Sequence, residues 1–174
     1  AAMEELEHMA GVALRGDDER INRMFAEVIG IINARERYFK NNRIDSIGTY
    51  RRLRAEGRAD DGYGEVFLFI DGWQTFRTEC EDLQPKVLDI VSRGLTYGVH
   101  VVISTSRWMD LRANIKDLMG TRLELRLGDP ADSEIDRKIA VPVPKGMPGR
   151  GLAPSKRHIL VALPLSAGQR ERIR

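Results

Sequence analysis

Val66-Phe67-Leu68-Phe69-Ile70-Asp71-Gly72-Trp73 decides the fold: an unbroken apolar run that stops at a carboxylate and a glycine. An apolar stretch of this length without alternation predicts a strand hidden on both faces, as in the middle of a parallel sheet. A second run of the same kind follows at Val99-His100-Val101-Val102-Ile103, ending in Ser104-Thr105-Ser106-Arg107. Between them, residues 84–93 place Val87, Leu88 and Val91 at helical spacing, with Pro85 tolerated in the first turn and Gly94 as the stop. Strand, helix and strand over this distance form a βαβ unit with parallel strands. The fold class is therefore α/β.

Outward from that unit, the strongest helical signal lies before it. Ile21, Met24, Phe25, Val28, Ile31, Ile32, Arg35 and Phe39 recur every three or four residues and predict a helix over about 18–40. Asp17 is the expected N-cap, Asp18 and Glu19 suit the positive end of the helix dipole, and Asn41-Asn42 the C-cap. Residues 2–9 read as a short helix, 11–14 as a short strand, and 46–55 as a helix followed by a glycine-rich loop. Arg51, Arg52, Arg54 and Arg58 cluster there, either as a solvated helix face or as a contact to phosphate or another subunit. Beyond residue 107, helices are expected at 110–119 and 132–138. Strict alternation predicts a half-wet edge strand over Arg122–Leu127, and a last strand is read at Ile159–Leu163. Residues 141–151, broken by proline and glycine, form a loop. One domain over 1–174 is expected, with a frayed tail at 167–174.

Composition narrows the function classes. The 174 residues carry 28 Lys+Arg against 26 Asp+Glu, a net charge of +2, and 42% are hydrophobic. That balance argues against disorder and gives no bulk electrostatic reason for nucleic-acid binding. No apolar run approaches the roughly 20 residues of a membrane-spanning helix. One cysteine, Cys80, allows no internal disulfide and fits a reducing compartment, and three scattered histidines give no metal-ligand spacing. An intracellular domain is expected.

Asp71 is the most informative chemical group. It stands at the carboxyl end of a buried strand, where open α/β sheets bind ligands. A carboxylate there suits Mg²⁺, a hard cation that prefers oxygen, and an apolar strand ending in Asp is the Walker B arrangement of nucleotide-binding folds. A carboxylate that merely caps the next turn accounts for the same pattern. Ser104, Thr105, Ser106 and Arg107 would lie beside Asp71 if the two strands are neighbours. Hydroxyls and an arginine at a sheet's carboxyl edge suit a phosphate or its attacking water, or simply cap the following helix.

Taken together with Leu118-Met-Gly-Thr-Arg-Leu-Glu-Leu-Arg-Leu-Gly-Asp-Pro130 and Pro148-Gly-Arg-Gly151, these blocks resemble EccC, the FtsK/SpoIIIE-type ATPase of type VII secretion systems. The likeness runs from about His8 to Leu165 and is strongest to the second of that family's tandem ATPase domains. It implies a RecA-like P-loop NTPase fold, three-layered with a mainly parallel central sheet, and ATP with Mg²⁺ as cofactors. By the same resemblance Asp71 would hold Mg²⁺, and Ser104, Thr105, Ser106 and Arg107 would sense phosphate. Arg20 and Arg23, or Arg107 and Arg150, would complete a neighbouring subunit's site. The implied partners are other EccC ATPase domains in a hexameric ring, type VII membrane core components and WXG-type secreted substrates, with no nucleic acid. The implied place is the cytoplasmic side of the cell membrane.

Three departures bear on activity. The phosphate loop G-x-x-x-x-G-K-[ST] is absent, so the chain is expected to match the C-terminal part of an ATPase domain, without its Walker A portion. Gly72 stands where active FtsK-type motors carry a glutamate, and Ser106 where they tend to carry glutamine. Losing a positioned general base commonly costs ~10² to 10⁴ in rate. The resemblance thus implies nucleotide binding with weak or degenerate hydrolysis. A non-catalytic ring-assembly or substrate-docking domain is the alternative, and DNA translocation has no basic patch to support it.

Overall fold

The computed structural model describes residues 6–162. Within them the chain divides into two compact units. The first runs to Thr105 and includes 113–118; the second comprises Ser106–Arg112 and the residues from Met119 onward.

In the first unit, α1 (Asp18–Asn42) begins where Asp17 accepts a hydrogen bond from the Arg20 N–H at 3.2 Å. It ends with Arg43, not an asparagine, in the left-handed conformation (φ 53°). The predicted stripe is the buried one: Phe25, Ile31, Ile32, Arg35 and Phe39 face inward. Helix α2 (Ile47–Ala55) is capped by the Ser46 hydroxyl, and Tyr50 packs with Phe39, Ile44 and Ala59. Strand β1 (Val66–Ile70) pairs in parallel with β2 (Val99–Ile103), from Val66 opposite Val99 to Ile70 opposite Ile103. Helices α3 (Trp73–Glu79) and α4 (Gln84–Arg93) connect them. Helix α4 packs on β2 and α1 packs on α4, closing a core with Leu68, Ile70, Leu83, Val87, Ile90 and Val99. A single helical turn, α5 (Ala113–Lys116), also belongs to this unit and buries Ile115.

The second unit holds β3 (Glu124–Leu125), β4 (Arg150–Leu152) and β5 (His158–Leu160), an antiparallel sheet in that order, with α6 (Arg137–Ala140) before β4. Ala140, Val143 and Leu152 form its small core, with Ile135 and Ile139 against them. Among the described residues, then, the parallel sheet has two strands and the later strands form a sheet of their own.

Several expectations need correction. Residues 6–8 form a turn and 11–14 no strand; residues 2–5, 163 and the tail lie outside the described residues. The β1–β2 layer is hidden on one face only: Phe67 is 55% and Phe69 65% exposed, because α4 packs on the opposite face. Helix α4 does end at Arg93 with Gly94 as its C-cap, as expected, but the chain runs on into a 3₁₀ turn, Gly94–Tyr97, whose left-handed cap is Gly98. The helix read at 110–119 is interrupted by Leu111 in extended conformation, leaving a 3₁₀ turn at Trp108–Asp110 and then α5. The helix read at 132–138 breaks at extended Ser133 and restarts at α6, where Asp136 accepts hydrogen bonds from Lys138 and Ile139 N–H. Helix α3 had no signal beyond Trp73 and Phe76, too few apolar positions to mark a stripe.

Candidate functional site

The parallel register places Ile70 opposite Ile103, so the next residues, Asp71 and Ser104, stand side by side at the carboxyl ends of β1 and β2. They are joined there. The Ser104 hydroxyl donates to Asp71 Oδ1 in a short hydrogen bond, and its oxygen accepts from the Gly72 N–H at 2.8 Å. The backbone continues the join. Ser104 N–H donates to the Ile70 carbonyl at 3.0 Å, and Trp73 N–H donates to the Ser104 carbonyl at 2.8 Å.

This geometry speaks against one reading of Asp71, the plain cap of the next turn. A carboxylate capping the next turn would bond to an N–H of α3, but α3 is capped by Gly72 without any side-chain hydrogen bond. Asp71's partner lies across the sheet, 33 residues on. Gly72, at φ 74° and ψ 60°, turns the chain from β1 into α3 with no straight step between them. The turn buries Trp73 completely, its ring 5.6 Å from Phe76, which in turn lies 5.7 Å from Phe25. An anchored indole below and a serine latch beside it hold an exposed carboxylate at the rim of the sheet.

Among the described residues no three metal-binding side chains converge. The donor set is one carboxylate oxygen with a hydroxyl beside it. That fits Mg²⁺, which keeps most of its waters and takes one or two carboxylates plus substrate phosphate, better than a metal needing an all-protein cage.

The other predicted residues are distributed as follows. Thr105 follows Ser104, half-buried, at the end of the first unit. Ser106 and Arg107 open the second unit, where Arg107 Nη2 lies 3.9 Å from the buried Asp110 carboxylate. Arg20 sits in the first turn of α1 with its backbone N–H on Asp17, and Arg23 is exposed one turn on. Arg150 lies on β4; its Nε is buried and makes no hydrogen bond among the described residues. The arginines in and after α2 find local partners on the surface: Arg51 forks onto Glu65 at 2.7 and 2.9 Å, Arg54 reaches the Tyr50 hydroxyl, and Arg52 and Arg58 pair with Glu56.

Two charged assemblies escaped the sequence reading. Arg35, 1% exposed, forks onto Asp61 and also donates to the carbonyls of Tyr97, Tyr63 and Gly64. Burial pushes the Asp61 carboxyl up, but hydrogen bonds from Arg35 and Tyr50 outweigh it and leave it below the usual range. Glu65, just ahead of β1, is held down to about 2 by Arg51 first, against burial, with help from His100 Nε2 at 2.7 Å. The signal for the first was an arginine inside an apolar stripe; the second pairs residues far apart in sequence and had none.

Comparison with known proteins places the chain in a family. The FtsK/SpoIIIE family model matches residues 1–167. The chain belongs to the FtsK/SpoIIIE family. Within that family it is similar to the ESX secretion system protein EccC of Thermomonospora curvata, 50% identical over 165 residues, which is 94% of this chain and 12% of that protein. Two solved structures are also similar. One, T. curvata EccC (ATPases 2 and 3) in complex with a signal sequence peptide, has a TM-score of 0.83 at 51% identity. It covers 88% of this chain and 28% of that one. The other, the cytoplasmic domain of the T. curvata type VII secretion ATPase EccC, has a TM-score of 0.85 at 50% identity, over 90% of this chain and 18% of that one. The chain thus spans about an eighth of the curated relative. No described helix of this FtsK/SpoIIIE chain is long and apolar enough to cross a membrane.

Proposed function

We propose that this chain is the C-terminal part of an EccC-type ATPase domain with a RecA-like fold, contributing the metal side of a Mg-ATP site. The Asp71–Ser104 hydrogen bond at the carboxyl edge of two parallel strands carries this reading. The serine hydroxyl fixes the Asp71 carboxylate in one orientation and leaves Oδ2 to bind a water of the metal's shell. Bound Mg²⁺ would neutralise charge on the triphosphate. Thr105 next along the chain, then Ser106 and Arg107, supply hydroxyls and a guanidinium for phosphate oxygens, and Arg20, Arg23 and Arg150 are the candidates for a neighbouring subunit's nucleotide. The phosphate loop is not among these 174 residues, so ATP binding is assigned to the longer protein.

Hydrolysis is weak in this reading, because Gly72 and Ser106 supply neither the carboxylate nor the amide that would orient a water. The work served is export by type VII secretion on the cytoplasmic side of the membrane, in a ring with other EccC ATPase domains, acting on WXG-type substrates. The relative solved with a signal sequence peptide supports an exported protein as the substrate. A second reading, a ring-assembly or docking domain without turnover, is favoured by the left-handed backbone at Gly72, which disfavours a side chain where the family's glutamate stands.

The test is Mg-ATP affinity of the full-length protein, followed with a fluorescent nucleotide. Asp71→Asn is expected to weaken Mg-ATP about tenfold or more and to abolish the difference between Mg²⁺ and EDTA. Ser104→Ala is expected to weaken it about tenfold, the worth of one hydrogen bond to a charged group. Unchanged Mg-ATP binding by Asp71→Asn would overturn the assignment.

A further inference from the structure

The second unit contains an inverted strand. Over residues 122–127 the alternation predicts leucines inward and charges outward, but Glu124 is 3% exposed while Leu123 and Leu125 are 56% and 50% exposed. Burying a carboxylate and exposing two leucines are both unfavourable, so the carboxylate must meet specific donors. It does. Glu124 Oε2 accepts the Trp108 indole N–H at 2.7 Å and the Glu134 backbone N–H at 3.3 Å. The Glu124 backbone is equally confined. It pairs with Leu152 of β4, and a Cβ at Gly151 would stand 2.1 Å from the Glu124 carbonyl oxygen, so only glycine lets β4 close down on it.

Trp108 opens the 3₁₀ turn Trp108–Asp110, and Arg107 is the residue that caps that turn. The Asp110 carboxylate, 7% exposed, faces the Arg107 guanidinium from within the turn. Arg107 thus directly precedes a residue anchored through its indole to a buried carboxylate, its carbonyl accepts the Asp110 N–H at 3.2 Å, and its charged head lies 3.9 Å from the Asp110 carboxylate, while half its side chain stays open to solvent.

We propose that Glu124 is a positioning residue for Arg107, acting through the Trp108 indole so that the guanidinium meets a nucleotide phosphate already aimed. This rests on the reading of Arg107 as a phosphate ligand given above. A preorganised guanidinium binds a terminal phosphate without first giving up side-chain freedom. Glu124 itself touches no nucleotide. The expected consequence is selective: loss of Glu124 weakens the preference for ATP over ADP and leaves ADP affinity alone.

The experiment measures Mg-ATP and Mg-ADP affinities of the full-length protein with four substitutions and one double variant. Arg107→Ala is expected to lower the ATP:ADP affinity ratio about tenfold. Trp108→Phe, which removes the indole N–H with the smaller ring and keeps one aromatic ring, and Glu124→Leu should each lower it several-fold, about threefold or more. Glu124→Gln, which keeps an acceptor oxygen for the indole, should stay near wild type. The double variant Arg107→Ala/Glu124→Leu should be no lower than Arg107→Ala alone, since both act on one contact. A ratio lowered by Arg107→Ala but unmoved by Trp108→Phe and Glu124→Leu would overturn the positioning role while sparing the phosphate reading. Additive losses, or equal losses of ATP and ADP affinity, would show that Glu124 is merely structural. An unmoved ratio in Arg107→Ala would overturn the phosphate reading and this inference with it.

Discussion

Replacing Arg35 with methionine tests how the loop ahead of β1 is held. The guanidinium makes its bonds from inside the first unit: Nε to Asp61 at 2.6 Å, Nη1 to the Tyr97 carbonyl at 2.6 Å, and Nη2 to Asp61, Tyr63 and Gly64 at 3.1–3.2 Å. Methionine fills much of the same space but leaves Asp61, 8% exposed, with the Tyr50 hydroxyl, the Tyr63 N–H and Arg54 at 3.6 Å as its remaining company. Breaking a buried pair from one side costs about 3–5 kcal/mol. The surviving partners of Asp61 put Arg35→Met near the lower end, about 3 kcal/mol. Urea unfolding followed by circular dichroism at 222 nm measures it. Adding Asp61→Asn to Arg35→Met removes the orphaned charge and should recover about 1 kcal/mol, although Asp61→Asn alone destabilises. The sign with pH follows from Asp61 being held below its ordinary 3.8. Its contribution is complete above that value and disappears as pH falls through the lower folded value, so the gap between wild type and Arg35→Met closes only in acid. A loss under about 1 kcal/mol for Arg35→Met, or further destabilisation by Asp61→Asn in that background, would refute the pin.

Two further outcomes follow from the same geometry. With Glu65 held at about 2 against an ordinary 4.5, its stabilisation is full above about pH 4.5 and is lost between there and pH 2. Glu65→Gln should flatten the acid limb of the stability curve in that window, and a curve unchanged there would contradict the Arg51–Glu65 fork. Gly72→Glu, intended to restore the family's carboxylate, should cost about 1–2 kcal/mol because φ is 74°, with Gly72→Asn costing less. Equal stabilities of the Glu and Asn variants by thermal melting would show that the left-handed turn is not enforced.

What was legible in the sequence was whatever a short window encodes. Helix α1 announced itself by period and caps, and β1 and β2 by apolar runs that end in polar edges. The neighbourhood of Asp71 and Ser104 followed from reading those two runs as adjacent parallel strands, since parallel register carries their ends to the same edge. The failures share a cause. Helix α3 is held by Trp73 and Phe76 in tertiary contacts rather than by a stripe, and the turns at 108–110 and 130–132 end where Leu111 and Ser133 adopt extended backbone. The 122–127 alternation was real, but its sense was reversed, because the donor that makes a buried Glu124 acceptable sits 16 residues away in Trp108. Periodicity tells which residues share a face. It does not tell which face a partner will claim.

Gly72 links the structure to the question of turnover. The left-handed turn there serves two ends together: it points the Gly72 N–H at Ser104 and starts α3 so that Trp73 is swallowed whole. A glutamate at that position must either accept the strained backbone or reshape the turn, and reshaping it withdraws the N–H from the hydroxyl that orients Asp71. The latch and the general base therefore compete for one backbone geometry. Gly72→Glu should consequently gain no hydrolysis unless the turn relaxes, and if it relaxes the Asp71 carboxylate loses its fixed orientation, weakening Mg-ATP along with any gain in rate. A variant that hydrolyses ATP faster while binding Mg-ATP as tightly as wild type would show that the two are independent.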